Sequence, residues 1–372
     1  MSSAGTITPS CGGWIDPEEC DVSHILWLRL RELASEAGIP LVGCVSPEAL
    51  EAEAGRWREW VARGGHAGMD WMGRHGPVRE HPAKWLPGCR SIVVFGFPYH
   101  PGPVAGDFRV ARFAAGQDYH RVIRRVLEGL LEGLRELEPA LAGRVAVDTA
   151  PLLEKALAVR AGMGWQGKNT CLIHPELGSY LFLGELLLDA PLPPTPASSG
   201  NCGDCRRCLD ACPTGALREP GFLDARRCLA YLTVEHRGVI PAWFRGRLRG
   251  RGFGCDLCQE ACPHNAARRT AVRPEFQPDP RLLSLRPAEV AAMSGRAFRR
   301  RYGFSSLTRA TQAGLARNWI ALLAERKGGR LPPEADEALH RFPLAAAQWT
   351  EFNQDLKTPP DEPPGRGDEP TA

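Results

Sequence analysis

The chain has 372 residues, of which 43% are hydrophobic and 24% are charged, and its formal net charge is +3. These values are ordinary for a globular protein, and the length allows two or three domains. No segment approaches the ~20 apolar residues of a membrane span, and the N-terminus has neither the basic nor the apolar region of a signal peptide. The sequence therefore predicts a cytoplasmic protein rather than a membrane or exported one.

Helices and strands alternate through the first 190 residues. A disordered lead is predicted over residues 1–24, and the predicted helices cover 25–37, 47–63, 119–138 and 151–160. The predicted strands cover 91–97, 144–148, 170–174 and 179–188. The helix at 119–138 has the clearest pattern, because its apolar residues recur every three or four positions and line one face. This mixture predicts an α/β domain with a central sheet over residues 25–195.

The second half of the chain changes character. Residues 191–200 are rich in proline and serine and predict a linker, and the segment 196–272 has few long periodic stretches and predicts a small domain built around cofactors. Helices are predicted over 287–302, 308–325 and 333–340, which form a short helical segment within 273–345. The proline-rich, acidic residues 346–372 predict a disordered tail. The fold class as a whole is α+β.

Seven of the thirteen cysteines fall in two matched runs, and an eighth, Cys228, lies between the runs. One run is C-x2-C-x2-C-x3-C-P and the other is C-x2-C-x3-C-P, which is the spacing of a two-cluster bacterial ferredoxin. Structural zinc and disulfides are the alternatives, but zinc sites pair two C-x2-4-C arms and use no three-cysteine run followed by C-P. The predicted ligand sets are Cys202, Cys205, Cys208 and Cys262 for one 4Fe-4S cluster, and Cys212, Cys228, Cys255 and Cys258 for the other.

Arginine is concentrated around these cysteine runs. Between residues 202 and 273 there are thirteen arginines against seven acidic residues. The run RGRLRGRG at 245–252 predicts a flexible basic loop that could follow a phosphate backbone. The alternative is a merely solvated loop, because the chain has only five lysines and arginine is its usual cation.

Candidate catalytic groups lie in the first domain. Asp148 ends a predicted strand, where α/β domains open onto ligand crevices, so it can exchange a proton or simply satisfy amides at a helix start. His120 begins a predicted helix and is either a proton shuttle, a ligand or an ordinary helix-start residue. The glycine-rich segment 162–170 predicts an anion- or cofactor-binding loop. It is not a Walker A motif, because Asn169 stands where Ser or Thr belongs and a strand follows.

Several segments of the chain together carry a family resemblance. They are GHAGMDWM (65–72), LPGCRSIVV (86–94), ARFAAGQDYH (111–120), VDTAPLLEKALAVRAGMGWQGKNT (147–170), GSYLFLGELLLD (178–189), CPTGAL (212–217), CLAYLTVEHRG (228–238) and CDLCQEACPHN (255–265). Together they resemble the epoxyqueuosine reductase family over about residues 25–345. Two positions depart from the family pattern: Phe113 stands where Tyr is common, and Thr149 where Ser is common. The chain also has fewer C-terminal helical repeats than many members.

The resemblance implies a nitroreductase-like cobalamin-binding domain related to that of reductive dehalogenases, a two-cluster ferredoxin-like domain and a short HEAT-like helical segment. It implies the reduction of epoxyqueuosine to queuosine at the wobble position of a tRNA, with electrons passing through two 4Fe-4S clusters to cobalamin. It assigns the proton donor to Asp148, with a pKa raised so that the group is protonated near pH 7. The implied cobalamin contacts are Arg112, Lys168, Asn169, Thr170, Leu172 and Leu183.

Two other functions stay open at this point. A dehalogenase-like reductase of a small molecule would keep cobalamin and the clusters but would need no arginine-rich surface. A plain electron carrier would not need the first 190 residues. The partners implied by the resemblance are a tRNA anticodon stem-loop and an unidentified low-potential electron donor, and nothing in the sequence requires more than a monomer.

Overall fold

The computed structural model describes residues 17–99, 106–266, 273–326 and 331–354. Helices and strands are mixed along the chain, and the helices dominate its second half. No helix in these described ranges is both long and apolar enough to cross a membrane.

The helices are α1 (Pro17–Glu36), α2 (Glu51–Ala62), α3 (Gly76–Glu80), α4 (Tyr119–Arg135), α5 (Glu154–Arg160), α6 (Arg207–Asp210), α7 (Leu229–Val234), α8 (Leu257–Glu260), α9 (Pro280–Leu283), α10 (Pro287–Ala292), α11 (Gly295–Tyr302), α12 (Thr311–Arg326), α13 (Asp336–Arg341) and α14 (Pro343–Gln354). The strands are β1 (Leu41–Val45), β2 (Ser91–Pro98), β3 (Arg109–Val110), β4 (Gly143–Ala146), β5 (Trp165–Gln166), β6 (Leu172–Ile173), β7 (Leu181–Leu188), β8 (Leu217–Glu219), β9 (Phe222–Leu223) and β10 (Arg251–Phe253).

A four-stranded antiparallel sheet organises the first domain, in the order β1-β2-β7-β4. Every residue of β2 is buried, because helices cover both faces and neither face needs polar side chains. Successive residues point to opposite faces, so Val93 and Phe95 join the core beneath α1 and α4. Val94 joins the core beneath α5 instead. The sheet thus holds the loop between β4 and α5 at a fixed edge.

The cysteine-rich region and the C-terminal helices share a second core, which includes Phe244, Phe253 and Tyr302. Arg317 of α12 is buried within this part of the fold and donates to the backbone carbonyls of Leu232, His236 and Gly238. A buried guanidinium requires such partners, so Arg317 connects α12 to α7 and to the chain that follows α7.

Several predicted boundaries are corrected. Helix α1 begins at Pro17, a residue favoured at the first helical position, so the predicted disordered lead 1–24 is too long, and residues 1–16 lie outside the described residues. The first part of the predicted disordered tail 346–372 is helical, because α14 buries Phe352 in the second core. Residues 355–372 lie outside the described residues.

Strand β1 and the helix predicted over 287–302 show two ways in which the sequence-based expectation fell short. Strand β1 was not predicted, because a five-residue segment containing a glycine carries little periodic signal. The predicted helix 287–302 is two helices, since the Ser294 side chain caps α11 by accepting from the amide of Ala297. The pattern therefore identified the main elements better than their ends.

Candidate functional site

Asp148 lies in the Asp148 loop, residues 147–153, which connects β4 to α5. Its φ is +44°, in the left-handed region that non-glycine residues seldom adopt. Its amide donates to Oε1 of Glu154 at 2.5 Å, and the amide of Thr149 donates to the carbonyl of Val147. The loop is therefore a tight turn that leaves the Asp148 side chain 42% exposed at the edge of the sheet.

His120 bridges two carboxylates. Its Nδ1 lies 2.7 Å from Oδ1 of Asp118, and its Nε2 lies 2.8 Å from Oδ2 of Asp148. Asp118 also caps α4 by accepting the amide of His120 at 3.1 Å. Because one carboxylate holds Nδ1, the other nitrogen is aimed at Asp148.

The charges around Asp118, His120 and Asp148 give Asp148 a protonation state that differs from the predicted one. Burial favours a higher pKa for Asp148, but the hydrogen bond and charge of His120, followed by Arg309, hold that pKa below its usual value. Burial favours a lower pKa for His120, but Asp118 and Asp148 together raise it to about 9. The predicted raised pKa of Asp148 is therefore wrong in this structure. Near neutral pH the proton resides on His120, facing an Asp148 carboxylate.

Two further residues reach Asp148 that the sequence did not single out. A guanidinium nitrogen of Arg309 lies 4.0 Å from Oδ2 of Asp148, and Arg309 also pairs with Glu235. Tyr119 stacks on His120, with ring centroids 4.1 Å apart, and its pKa is raised first by burial and then by the negative charge of Asp148. Tyr119 lies in the motif DYH at 118–120, so its place beside His120 in the sequence could have identified it. Nothing near Arg309 in the sequence indicates its position.

The four cysteines assigned to the first cluster line one cavity, and these residues fit a 4Fe-4S cluster. Among the described residues, no three His, Cys, Asp or Glu side chains converge as they would around a single metal ion. In a cluster each cysteine binds its own iron, so the thiols surround a larger volume. The cavity is lined by Lys168, Asn169, Ile173, Cys202, Cys205, Arg207, Cys208, Cys262, Pro263 and His264.

The four cysteines assigned to the second cluster also lie close to one another. Burial is the main cause of the raised thiol pKa values of Cys228, Cys255 and Cys258, and neighbouring thiols of the set add to it. The amide of Ala216 donates to Sγ of Cys212 at 3.3 Å. Cys171, which has no partner spacing in the sequence, is the first neighbouring thiol that raises the pKa of Cys258.

The six implied cobalamin contacts do not form one exposed surface. Lys168, Thr170 and Leu183 are half-buried, so each keeps surface that a ligand can contact. The other three are buried. Lys168 also donates to the carbonyl of Gly203 at 2.5 Å. The residues present therefore fit a cofactor at three of the six positions.

Arg112, one of the buried three, links the first domain to the cluster region. Its guanidinium lies 2.7 Å from Glu260 and 3.2 Å from Asp256 and sits over the ring of Tyr180. Its backbone amide also donates to Asp256 at 2.9 Å. Arg112 thereby joins the chain before α4 to helix α8.

The glycines at 162 and 164 serve packing rather than ligand access. A Cβ at Gly162 would lie 2.2 Å from the carbonyl oxygen of Pro196, and one at Gly164 would lie 2.0 Å from that of Ile173. Both glycines also have positive φ. The expectation that they open the backbone to a ligand is wrong, because the loop lies directly against its own chain.

The run 245–252 is folded rather than a flexible basic loop. Arg251 is buried in β10 and pairs with Glu260 at 2.7 Å, whereas Arg249 is exposed. The expectation failed because strand pairing between β10 and β3 depends on distant residues. Arg268 and Arg269, also counted in the basic segment, lie outside the described residues.

Comparison with known proteins identifies two matching family models. A 4Fe-4S double cluster binding domain matches residues 201–265. A model described as "Epoxyqueuosine reductase QueG, DUF1730" matches residues 79–149. The first covers both cysteine runs, and the second covers His120 and Asp148.

Curated relatives extend the similarity along the chain. An epoxyqueuosine reductase of Pseudomonas aeruginosa is 39% identical over 323 residues, which are 84% of this chain and 89% of the relative. One of Xanthomonas campestris pv. campestris is 43% identical over 261 residues, covering 67% and 72%. One of Escherichia coli K12 is 38% identical over 258 residues, covering 67% and 68%.

Solved structures give the same similarity in three dimensions. A crystal structure of epoxyqueuosine reductase with an epoxyqueuosine-modified tRNA-Tyr stem loop has a TM-score of 0.78 and 30% identity, covering 88% of this chain and 89% of that one. A Bacillus subtilis epoxyqueuosine reductase, whose catalytic loop is swung out of the active site, has a TM-score of 0.75 and 29% identity, covering 85% and 89%.

Proposed function

This chain belongs to the epoxyqueuosine reductase family, and on that premise we propose that it reduces epoxyqueuosine to queuosine at the wobble position of a tRNA. The chain is an enzyme, an oxidoreductase. The observation that carries the proposal is the hydrogen-bonded chain of Asp118, His120 and Asp148, in a protein that also gathers two sets of cluster cysteines. The reaction consumes two electrons and two protons, and this chain has candidate residues for delivering electrons and for donating a proton.

Asp148 and His120 are the proposed source of one proton. The imidazolium of His120 passes its Nε2 proton over 2.8 Å to Asp148, while Asp148 protonates the epoxide oxygen as the carbon–oxygen bond breaks. Asp118 keeps the imidazole oriented and, through its charge, keeps it protonated. This arrangement explains how a carboxylate with a lowered pKa can serve as the acid: the proton is held next to it.

The electron supply rests on the two cysteine sets, which would hold one 4Fe-4S cluster each. Cobalamin, when bound, supplies a cobalt centre that accepts electrons singly and can return them to a substrate as a pair. We propose that Lys168, Thr170 and Leu183 contact cobalamin directly, and that the buried residues Arg112, Asn169 and Leu172 pack behind them and hold them in place.

In the described residues the Nδ2 of Asn169 is buried without a hydrogen-bond partner. Since Asn169 lines the first cavity, we propose that Nδ2 donates to a cluster sulfur.

A tRNA anticodon stem-loop is the proposed macromolecular partner. The tRNA stem loop in the structure of a relative supports it, and exposed arginines such as Arg249 offer phosphate contacts. A low-potential electron donor, a cytoplasmic location and a monomeric state complete the proposal. We also propose that the first domain is nitroreductase-like and that α10–α14 are a short HEAT-like segment.

The test is nucleoside analysis of tRNA from a strain that lacks this gene, complemented with the wild type, Asp148→Ala or Glu128→Gln. Glu128 is an exposed residue of α4 and serves as the control. Epoxyqueuosine should accumulate in the deletion strain and be cleared by the wild type and the control but not by Asp148→Ala. Normal queuosine in the deletion strain would contradict the tRNA assignment. A cobalamin- and cluster-loaded protein without that phenotype would instead indicate a small-molecule reductase.

A further inference from the structure

The C-terminal helical part of the chain contributes a cation to the Asp148 site. Arg309 lies in the short 3-10 helix Ser306–Ala310, which directly precedes α12. A terminal nitrogen of its guanidinium lies 4.0 Å from Oδ2 of Asp148, and the two side chains are 36% and 42% exposed. An ion pair that is partly exposed contributes little unless further contacts fix its geometry. The contacts of Arg309 therefore decide whether it matters for the site.

Arg309 is held by the segment that follows α7, through both its side chain and its backbone. Its Nε donates to Oε1 of Glu235, whose side chain is only 12% exposed. Its carbonyl accepts from Nη2 of Arg237 at 2.9 Å, while Nη1 of Arg237 donates to the carbonyl of Val234 at 3.2 Å. Because Nε is bound and the guanidinium is planar, the plane is fixed with a terminal nitrogen facing Asp148.

That segment is in turn joined to α12 by buried hydrogen bonds. Nδ2 of Asn318 donates to the carbonyl of Thr233 at 2.8 Å, and Nη1 of Arg317 donates to that of Gly238 at 2.6 Å. Asn318 and Arg317 are each 1% exposed. Buried donors are costly to leave without acceptors, so the start of α12 and the segment after α7 keep a fixed relation to each other.

We propose that Arg309 is a positioning residue for the reduction, and that it acts through Asp148 by stabilising the carboxylate that remains when the proton passes to the substrate oxygen. This inference rests on the proposed role of Asp148 as the acid. His120 faces the same carboxylate from 2.8 Å and can give up a proton. A guanidinium does not deprotonate in proteins. Arg309 therefore makes Asp148 a stronger acid without competing to supply the proton.

The charges around Asp148 set the direction of the pH dependence. The titratable groups that interact with it are Tyr119 and His120 of α4, Glu154 of α5, Glu185 of β7 and Arg309. Burial favours a higher pKa for Asp148, and His120 and then Arg309 hold that pKa below its usual value. Removing a neighbouring cation favours protonation of a carboxylate. Loss of Arg309 should therefore raise the pKa at which the pair of His120 and Asp148 loses its shared proton.

The first experiment follows the histidine ring signals by nuclear magnetic resonance as a function of pH, in the oxidised enzyme loaded with clusters and cobalamin and without substrate. The signal that is lost in His120→Asn assigns His120. In the wild type it should titrate near pH 9, and in Arg309→Met at a higher pH. Glu235→Gln keeps an acceptor for Nε but removes the charge that offsets the guanidinium, so it should titrate at a lower pH. Arg300→Met removes an exposed arginine of α11 and should match the wild type.

The second experiment measures the pH dependence of kcat/KM for the proposed reaction. Arg309→Met should lower kcat by less than the about 10²–10⁴-fold that a general acid contributes, and its alkaline limb should move to higher pH. A purely structural role would lower activity without moving that limb. A raised KM at unchanged kcat would overturn the proposal, because it would indicate that Arg309 binds substrate uniformly.

The titration without substrate separates this proposal from the proposed function. An unchanged His120 titration in folded, cluster-loaded Arg309→Met would overturn the role of Arg309. If that variant does not fold, an unchanged titration in Glu235→Gln would overturn it instead. A wild-type enzyme that does not reduce epoxyqueuosine would contradict the proposed function, and the titration would still decide whether Arg309 controls the charge of Asp148.

Discussion

The sheet domain and the cysteine-rich region hold their structures by different means. The sheet domain buries β2 completely between two helix-covered faces, so apolar contacts form its core. The cysteine-rich region, residues 201–266, has helices of only four to six residues, and no residue of its first cysteine run, 202–212, is buried, although residues from 229 onward join the second core. The difference indicates that cofactor ligation stabilises the second region, as in other proteins whose metal binding is coupled to folding.

Removal of iron should have the largest effect and should separate the two regions. Chelation under reducing conditions, or Cys262→Ala, should leave 201–266 open to proteolysis while the sheet domain stays resistant. Limited proteolysis followed by mass spectrometry measures this. Leu127→Ala, in the core beneath the sheet, is the comparison variant because it weakens the sheet domain instead. It should lower the free energy of unfolding by about 2–5 kcal/mol and leave the cluster absorbance unchanged. Equal resistance of both regions after chelation would contradict the comparison.

Arg112 tests the connection between the regions. Arg112→Met leaves the buried Asp256 without its cation, and breaking a buried ion pair costs about 3–5 kcal/mol. Denaturant unfolding of the loaded protein measures that loss. Arg58→Met, which removes an exposed pair with Glu80, is the control and should change little. A loss no larger than that of the control would show that the regions are joined mainly by apolar contacts.

The pH dependence of activity tests the role assigned to His120 in the sheet domain. Because the pKa of His120 is raised to about 9, the imidazolium–carboxylate pair persists below that pH, and activity should fall as pH rises through it. Asp118→Asn removes a negative charge 2.7 Å from Nδ1. The alkaline limb of kcat/KM should then move to lower pH. An unmoved limb in a folded, cluster-loaded Asp118→Asn enzyme would contradict the assignment of that limb to His120.

The smallest expected effect concerns the first cluster. Asn169→Leu removes the proposed donor to a cluster sulfur, so the reduced, more negative cluster is less stabilised and its potential should fall. A net hydrogen bond contributes about 0.5–1.5 kcal/mol, which is about 20–60 mV for one electron. Redox titration followed by electron paramagnetic resonance measures it. Gln166→Leu changes an exposed residue of β5, three positions before Asn169, and should leave the potential unchanged.

Local chemistry was accessible from the sequence alone. The ligand spacing of the cysteines is a property of short segments, and Cys202, Cys205, Cys208 and Cys262 do line one cavity. The apolar period of α4 and the position of Asp148 after a strand are equally local. The same local reasoning missed α14 and the fold of 245–252, because burial of Phe352 and pairing of β10 depend on residues far along the chain.

Tertiary structure decided the electrostatics. Asp148 was identifiable as a candidate acid, but its protonation state depends on His120 and Arg309, which are 28 and 161 positions away. Glu185 lies in an otherwise apolar strand, and only the fold decides that it is completely buried. Sequence spacing determines which groups one segment can present. The energies of charges and protons depend on burial and on distances across the molecule, which exist only after the chain has folded.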